Sequence, residues 1–286
     1  LSAARREREL ALNARGEGRY PEAMDQAKAA SQTLLEAFCV AQRPAPGEFR
    51  AFWCHSAFGV KGMSWDEAAR CLAENGFTAV LPNMLWGGIA YYPSSVLPVA
   101  PEVASQGDQI AECLAACRKY GLQMHVWKVN WNASHAPKEF LAKMRNAGRL
   151  QADVQGKEEP WLCPSHPENQ QMEIDSMVEL VRRYDVDGIH FDYIRYPDGD
   201  HCFCGGCRER FARALAPASL EWPRDVLAGG AHRQAWLDWR RDNITKVVQS
   251  VGAQTRALKP GVKLSAAVFS NWSTDRDTVG QDWSLW

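Results

Sequence analysis

From Phe49 onward the apolar positions of the chain switch repeatedly between a period near two and a period near 3.6, the signatures of half-buried strands and of helices packed on one face. Phe49–His55 reads as a first strand. Ser64, Trp65, Asp66 and Glu67 form a capping box that opens a helix, because the serine hydroxyl can accept from the backbone three residues on while the glutamate reaches back. Asn75-Gly76 closes that helix, and Phe77–Pro82 is the second strand. A long loop through Trp86, Tyr91 and Tyr92 leads to a helix over Asp108–Tyr120, ended by Gly121, and Leu122–Val129 is the third strand. Pro137 starts a helix whose pattern fades at Gly148, and a loop through Trp161 and Cys163 follows. From Pro167, the residues Ile174, Met177, Val181 and Tyr184 recur at helical spacing into the fourth strand, the stretch Asp187-Gly188-Ile189-His190-Phe191-Asp192-Tyr193-Ile194-Arg195-Tyr196 stopped by Pro197. A cysteine-rich loop, a helix near Arg208–Leu215 and a long helix through Trp236, Ile244, Val247, Val251 and Leu258 come next. Pro260-Gly261 stops the long helix, and Val262–Phe269 is the fifth strand.

Repeated βα units imply a parallel sheet with right-handed crossovers. Its usual closed form is the eight-stranded (β/α)8 TIM barrel, so five strands predict an α/β barrel that is C-terminally incomplete, with about three βα units following Trp286. An open five-stranded sheet is the alternative, at the cost of two long edges. Residues 1–43 differ: they are alanine-rich and charged, broken at Gly16-Glu17-Gly18 and restarted at Pro21. They read as two helices, the second striped by Ala23, Ala27, Leu34, Leu35 and Phe38. Pro44-Ala45-Pro46-Gly47 separates this segment, either a packing appendage or the tail of an upstream domain, from the barrel domain over 48–286.

A chain of 286 residues, 46% hydrophobic with net charge −1, describes a globular protein without a nucleic-acid signature. Its apolar runs fall short of the roughly 18 residues a membrane span needs. The chain opens on Leu1, so its natural N-terminus is expected upstream and its start is silent about export. Nine scattered cysteines are no small disulfide scaffold, and Cys113 and Cys117, four apart in a helical pattern, read as small buried hydrophobes.

Candidate chemistry gathers at the strand tips, where side chains converge in βα architectures. His55 follows the first strand, Asn83 and Trp86 the second, Trp127, Asn130 and Trp131 the third, Asp192 and Arg195 the fourth, Asn271 and Trp272 the fifth. Amides, imidazoles and indoles suit sugars, whose apolar ring faces are edged by hydroxyls. Twelve tryptophans exceed what the core of such a chain requires, although Trp236 and Trp239 read as packing. Asp192 is the central carboxylate: inside an apolar run it is costly unless satisfied by Arg195 or kept for function. His190 shares its face, while Ile189 and Phe191 take the other. Glycoside hydrolysis usually needs two carboxyl groups, about 5 Å apart for retention or roughly 6.5–9.5 Å for inversion. Asp192, held ionised by Arg195, would serve as nucleophile or base; the acid is Asp275, Asp277, Asp282 or, as favoured here, a residue on further strands. His55, His125 and His190 orient substrate or form hydrogen-bonded walls. Cys202, Cys204 and Cys207 could hold a structural zinc ion with a fourth ligand from Cys163, His166 or His201; the alternatives are free thiols or a Cys204–Cys207 disulfide.

The stretch Asp187-Gly188-Ile189-His190-Phe191-Asp192-Tyr193-Ile194-Arg195-Tyr196-Pro197, with Trp161-Leu162-Cys163-Pro164-Ser165-His166-Pro167 upstream, resembles the bacterial glycosyl-hydrolase-like family described as family 10-like. Tyr91-Tyr92-Pro93-Ser94 and Gln281-Asp282-Trp283 fit the same pattern, and the resemblance covers roughly 48–286. It implies a (β/α)8 barrel acting on carbohydrate, with relatives among envelope proteins that cut peptidoglycan glycan strands, and hence an exported or cell-envelope setting. The resulting expectation is a glycoside hydrolase acting on a polysaccharide or peptidoglycan-type glycan, needing no cofactor for catalysis. His55, Asn83, Trp86, Tyr91, Tyr92, His125, Trp127, Asn130, His190, Arg195, Asn271 and Trp272 would contact the carbohydrate polymer. Two rival readings are a noncatalytic glycan-binding barrel and a metal-dependent barrel enzyme built on His55, His125, His190 and Asp192.

Overall fold

The computed structural model describes residues 1–43 and 45–286, so the Pro44 end of the expected linker lies outside the described residues. The chain divides into two compact units, Leu1–Glu48 and Phe49–Trp286. In the first, α1 (Ser2–Gly16) and α2 (Tyr20–Ala41) form a helical hairpin turned at Gly18, whose φ of +77° is a left-handed value that glycine adopts without steric cost. Ala4, Ala14 and Ala30 are the buried side chains there, while Leu34, Leu35 and Phe38 of the anticipated stripe remain exposed.

The second unit is built on parallel strands β1 (Ala51–Cys54), β2 (Ala79–Trp86), β3 (Gln123–Val129), β4 (Gly188–Asp192) and β5 (Lys263–Ala266), paired in that spatial order. Sequential neighbours pair throughout, as in a barrel wall. The crossovers carry α3 (Trp65–Glu74), α4 (Gln109–Lys119), α5 (Lys138–Asn146), α6 (Pro167–Arg183), α7 (Gly205–Leu215) and α8 (Arg233–Leu258), and α9 (Trp272–Thr278) follows β5. The fold is α/β of the TIM-barrel type.

Local chemistry explains the helix starts. Glu67 N–H donates to Ser64 Oγ at 3.2 Å and Ser64 N–H to Glu67 Oε2 at 2.8 Å, completing the capping box of α3. Asp108 accepts from Ile110 and Ala111 N–H at 3.1 Å each to start α4. One face of the strands packs against the helices: Val80, Met124, Val126, Ile189 and Phe191 join the main core with Ile110, Met177 and Val247. The other face carries Leu81, Trp127 and Val129 together with Trp53 and His190.

Two elements depart from the sequence pattern. β2 runs through Pro82 to Trp86 instead of stopping at the proline: Pro82 stands in register opposite Cys54 of β1, and the ladder with β3 shifts register just beyond it, between Asn83 and Leu85. The expected loop around Trp161 contains an antiparallel hairpin, Leu150–Ala152 with Glu158–Leu162, whose second strand holds two glutamates and a proline and so carries no alternating signal.

Candidate active site

Asp192 stands at the carboxyl end of β4, among side chains from the neighbouring strand tips. Asp192 Oδ2 accepts from the indole N–H of Trp127 at 3.1 Å and Oδ1 from the backbone N–H of Tyr193 at 2.8 Å. Burial pushes its carboxyl above the usual range; those two donors, and the electrostatic influence of Arg195 and His55, pull the other way without cancelling the rise. Val129 of β3 lies opposite Asp192 in register, and Asn130 N–H donates to the Asp192 carbonyl at 2.7 Å, so the carboxylate stands on the last rung of the sheet.

On one side of Asp192, the His55 ring meets Trp127 edge-on at 4.7 Å, and His55, Asn83, Trp86 and Tyr91 line a cavity of about 270 Å³ with Phe58 and His135. Trp86 is stacked on His135, centroids 3.8 Å apart and planes at 10°, and its indole N–H donates to Asn83 Oδ1. On the other side the Arg195 guanidinium sits over Tyr193, Phe269 and Trp161 at 4.7, 4.9 and 5.7 Å from the ring centroids. Its Nη1 donates to the Tyr196 and Pro197 carbonyls at 2.9 Å each. Arg195 is therefore bonded to backbone and not to Asp192. The expected ion pair gives way because Tyr193, at φ +51°, turns the chain left-handed directly after the carboxylate.

Several anticipated contacts lie elsewhere. Tyr92 is fully buried and donates to Glu179 Oε2 at 2.9 Å, so the Tyr-Tyr-Pro-Ser motif works as an anchor: Ser94 Oγ, Ser95 Oγ and Ser95 N–H donate to the same carboxylate. Burial alone would raise Glu179, but these donors outweigh it and hold it below the usual carboxylate range. Asn130 is buried with its amide donating to Glu173, itself paired with Lys128 at 3.0 Å behind the sheet. His125 faces Gly188 at the start of β4, a full layer below the strand tips, and bonds Gln123 Oε1 at 3.2 Å. His190 lies between these levels and shares a hydrogen bond with Ser265 Oγ at 2.8 Å. Asn271 is an exposed cap of α9, and Trp272 donates to Asp282 Oδ1 at 2.8 Å in a separate concavity with Asp238, Arg241 and Arg276. Asp282 lies 3.5 Å from the Arg241 guanidinium, Asp277 pairs with the same arginine, and Asp275 accepts from Asn271 N–H at 3.1 Å, so none of the three aspartates is left unpaired.

The match to known proteins covers this whole unit: residues 50–286 fit the model of the glycosyl hydrolase-like 10 family. The chain belongs to that family. Glycosyl hydrolase YngK of Bacillus subtilis (strain 168) is 23% identical over 261 residues, 80% of this chain and 46% of that protein. Glycosyl hydrolase DigH of Escherichia coli (strain K12) is 24% identical over 231 residues, 74% of this chain and 48% of that one. This chain thus spans about half the length of these relatives. Among solved structures, the glycoside hydrolase domain of PgaB (BpsB) from Bordetella bronchiseptica superimposes with a TM-score of 0.58 at 11% identity, covering 82% of this chain and 69% of that one. Alpha-L-fucosidase isoenzyme 2 from Paenibacillus thiaminolyticus gives 0.54 at 14% identity, over 77% of this chain and 32% of that one. At such identities the two structures speak to the fold, which is that of TIM-barrel glycoside hydrolases.

Within this glycosyl hydrolase-like frame, sequence reasoning overlooked His135, which sits in an irregular segment, took Phe269 only as the end of the fifth strand, and left Trp161 and Tyr193 out of the binding set although both lie in the quoted motifs. A metal centre on His55, His125, His190 and Asp192 is not formed: among the described residues, the one group of three or more His, Cys, Asp or Glu ligand atoms gathered closely enough for an ion is Cys163, Cys202, Cys204 and Cys207, all within 4.8 Å of one another. His201 is turned instead to Asp198 Oδ1 at 2.7 Å, and His166 occupies the N-cap position of α6 without a side-chain capping bond and is not among the gathered ligand atoms. Four converging thiols could hold a metal ion.

Proposed function

We propose that this protein hydrolyses O-glycosidic bonds in a polysaccharide or peptidoglycan-type glycan, with Asp192 as nucleophile or base. The observation that carries the reading is the half-buried Asp192 carboxylate at the strand tips, beside Trp127 and Tyr193, both oxygens accepting N–H bonds. Those donors favour the charged form, while burial makes the group more basic than a solvated aspartate. On this reading His55, Asn83, Trp86, Tyr91 and His135 hold sugar on one side of the scissile bond, and Trp161, Tyr193, Arg195 and Phe269 on the other. Indole and phenol faces stack on pyranose rings, the free edge of Arg195 meets hydroxyls, and Asn83 positions the Trp86 indole. Hydrolysis here needs no cofactor, an ion on the thiols being structural, and a cell-envelope location belongs to the same proposal through the family resemblance.

A noncatalytic glycan-binding barrel is the second reading, favoured by one observation: Asp275, Asp277 and Asp282 are committed to Asn271 and Arg241. The deciding experiment incubates the full-length protein and Asp192→Asn with a panel of glycans, including peptidoglycan strands with and without stem peptides, and counts new reducing ends. Cleavage by the wild type and its loss in a folded Asp192→Asn is the expected result. Binding without cleavage by the wild type transfers the protein to the second reading, and full activity in the variant removes Asp192 from the mechanism.

A further inference from the structure

We propose that Cys163, Cys202, Cys204 and Cys207 bind one zinc ion that clamps the segment carrying Trp161 to the loop after β4, and so fixes one wall of the crevice. The separations Cys163–Cys207 and Cys163–Cys204 are 3.4 and 3.7 Å between sulfurs. A tetrahedral ion with zinc–sulfur bonds of about 2.3 Å has sulfur–sulfur edges of about 3.8 Å; these two edges match it, and all four thiols lie within 4.8 Å of one another. A disulfide would need sulfurs about 2.05 Å apart. Sulfur-only tetrahedral donors select zinc or iron over hard cations, and a cluster with bridging sulfides would spread the thiolates further apart than these are.

Ordinary packing does not account for the arrangement. Cys113 and Cys117 show how this chain buries thiols as small hydrophobes: side by side on one helix, among aliphatic neighbours. The four at issue come from three places: the end of the hairpin, the loop after β4, and the first turn of α7. Cys163, Cys202 and Cys207 are fully buried. Four thiolates around a dication leave a net charge of about −2 in the interior, which requires donors close by. The site supplies them. Arg210 Nη2 donates to Cys163 Sγ at 3.5 Å, its Nε holds Ser165 at 3.0 Å, and Cys207 N–H donates to Cys204 Sγ at 3.4 Å at the positive end of α7. Gly206 makes room for this, since a Cβ there would lie 2.7 Å from Arg210 Nη2.

The ion would join segments that reach the crevice. Phe203 N–H donates to the Ala152 carbonyl at 2.7 Å and Leu162 N–H to the Trp131 carbonyl at 2.8 Å, tying the hairpin to the loop after β4 and to the tip of β3. Trp161, two residues before Cys163, packs on Tyr193 at 5.4 Å.

The test is the metal content of the full-length protein, isolated without added chelator, and of Cys204→Ser. That substitution is chosen because Cys204 is the N-cap of α7 and a serine keeps the cap acceptor, so the helix survives while a ligand is lost. Equimolar zinc in the wild type, its loss in the variant, and faster proteolysis within 198–204 once zinc is removed are expected. If the variant fails to fold, cobalt exchanged into the wild type decides, through the visible bands of a tetrahedral tetrathiolate. A metal-free wild type that takes up neither ion, iron in place of zinc, a Cys204–Cys207 disulfide, or stoichiometric zinc in Cys204→Ser overturns the assignment. Unchanged proteolysis in the zinc-free protein overturns the clamp. Metal content is read without substrate, so this inference stands or falls separately from the hydrolase reading.

Discussion

The Asp192 carboxyl group answers to opposed influences, and its ionisation is the most direct probe of the crevice. Burial raises it; the Tyr193 N–H, the Trp127 indole, Arg195 and His55 lower it, and burial prevails. Trp127→Phe keeps a ring against Trp53 and His55 while removing the indole donor at 3.1 Å. A hydrogen bond to a charged group contributes roughly 1.5–3 kcal/mol. At 1.36 kcal/mol per pH unit, its loss should move the Asp192 midpoint up by about one to two units. Carbon-13 NMR of the side-chain carboxyl reads this directly, and an unmoved midpoint would mean that the indole does not set the charge. Because the proposed chemistry uses the ionised form, the acid limb of the rate profile should climb by the same amount.

At the scale of the elements, β4 shows how closely the wall of the barrel is packed. Gly188 opens that strand beneath His125, and a Cβ placed there would lie 2.3 Å from His125 Nδ1. Its φ is not in the left-handed region, so the demand is for space alone. Gly188→Ala should therefore cost about 1–3 kcal/mol by displacing a buried ring. Gly205→Ala, in the first turn of α7 with nothing within 4 Å of its Cβ, should leave stability unchanged or raise it by up to about 1 kcal/mol. Denaturant titration of both variants checks the contrast, and equal stabilities would show that His125 yields freely. Features of this kind were legible in the chain only where the cause is local. The capping box of α3 and the alternation that puts His190 and Asp192 on one face are set by neighbouring residues, and the structure has both. Tyr92 looked like a crevice aromatic because its destination, Glu179, is 87 residues away, and Cys163 was one of three candidates, with His166 and His201, for the fourth ligand because only the hairpin brings it to Cys207. The hairpin itself was hidden by Glu158, Glu159 and Pro160.

Across the whole second unit, two histidines buried on the concave face of the sheet couple its stability to acid. Burial first, and then the positive charge of His125, lower His190 to about 4. For His125 burial is again the largest cause, Lys263 adds to it and Asp187 opposes it, and the value is also about 4. Ser265 and Trp53 face His190, and Gln123 and Phe49 face His125; among the described residues neither ring has a hydrogen bond or ion pair to a carboxylate, Asp187 acting on His125 only through space. An unfolded histidine titrates near 6.5, so between about 6.5 and 4 the unfolded chain binds protons that the folded chain refuses. Stability is therefore fully present above pH 6.5 and is lost as pH falls toward 4. After allowance for solvent screening and for the mutual repulsion of the pair, each ring should account for on the order of 2 kcal/mol. Asp192 acts in the opposite sense, because a raised carboxyl takes up its proton in the folded state first, and it offsets part of the loss only toward the lower end of the window. Unfolding by urea at a series of pH values from 7 down to 4.5 should give a falling free energy in the wild type and a shallower fall in His190→Gln. A wild-type profile flat over that window would show that the two imidazoles are protonated inside the fold and that their burial does not couple stability to acid.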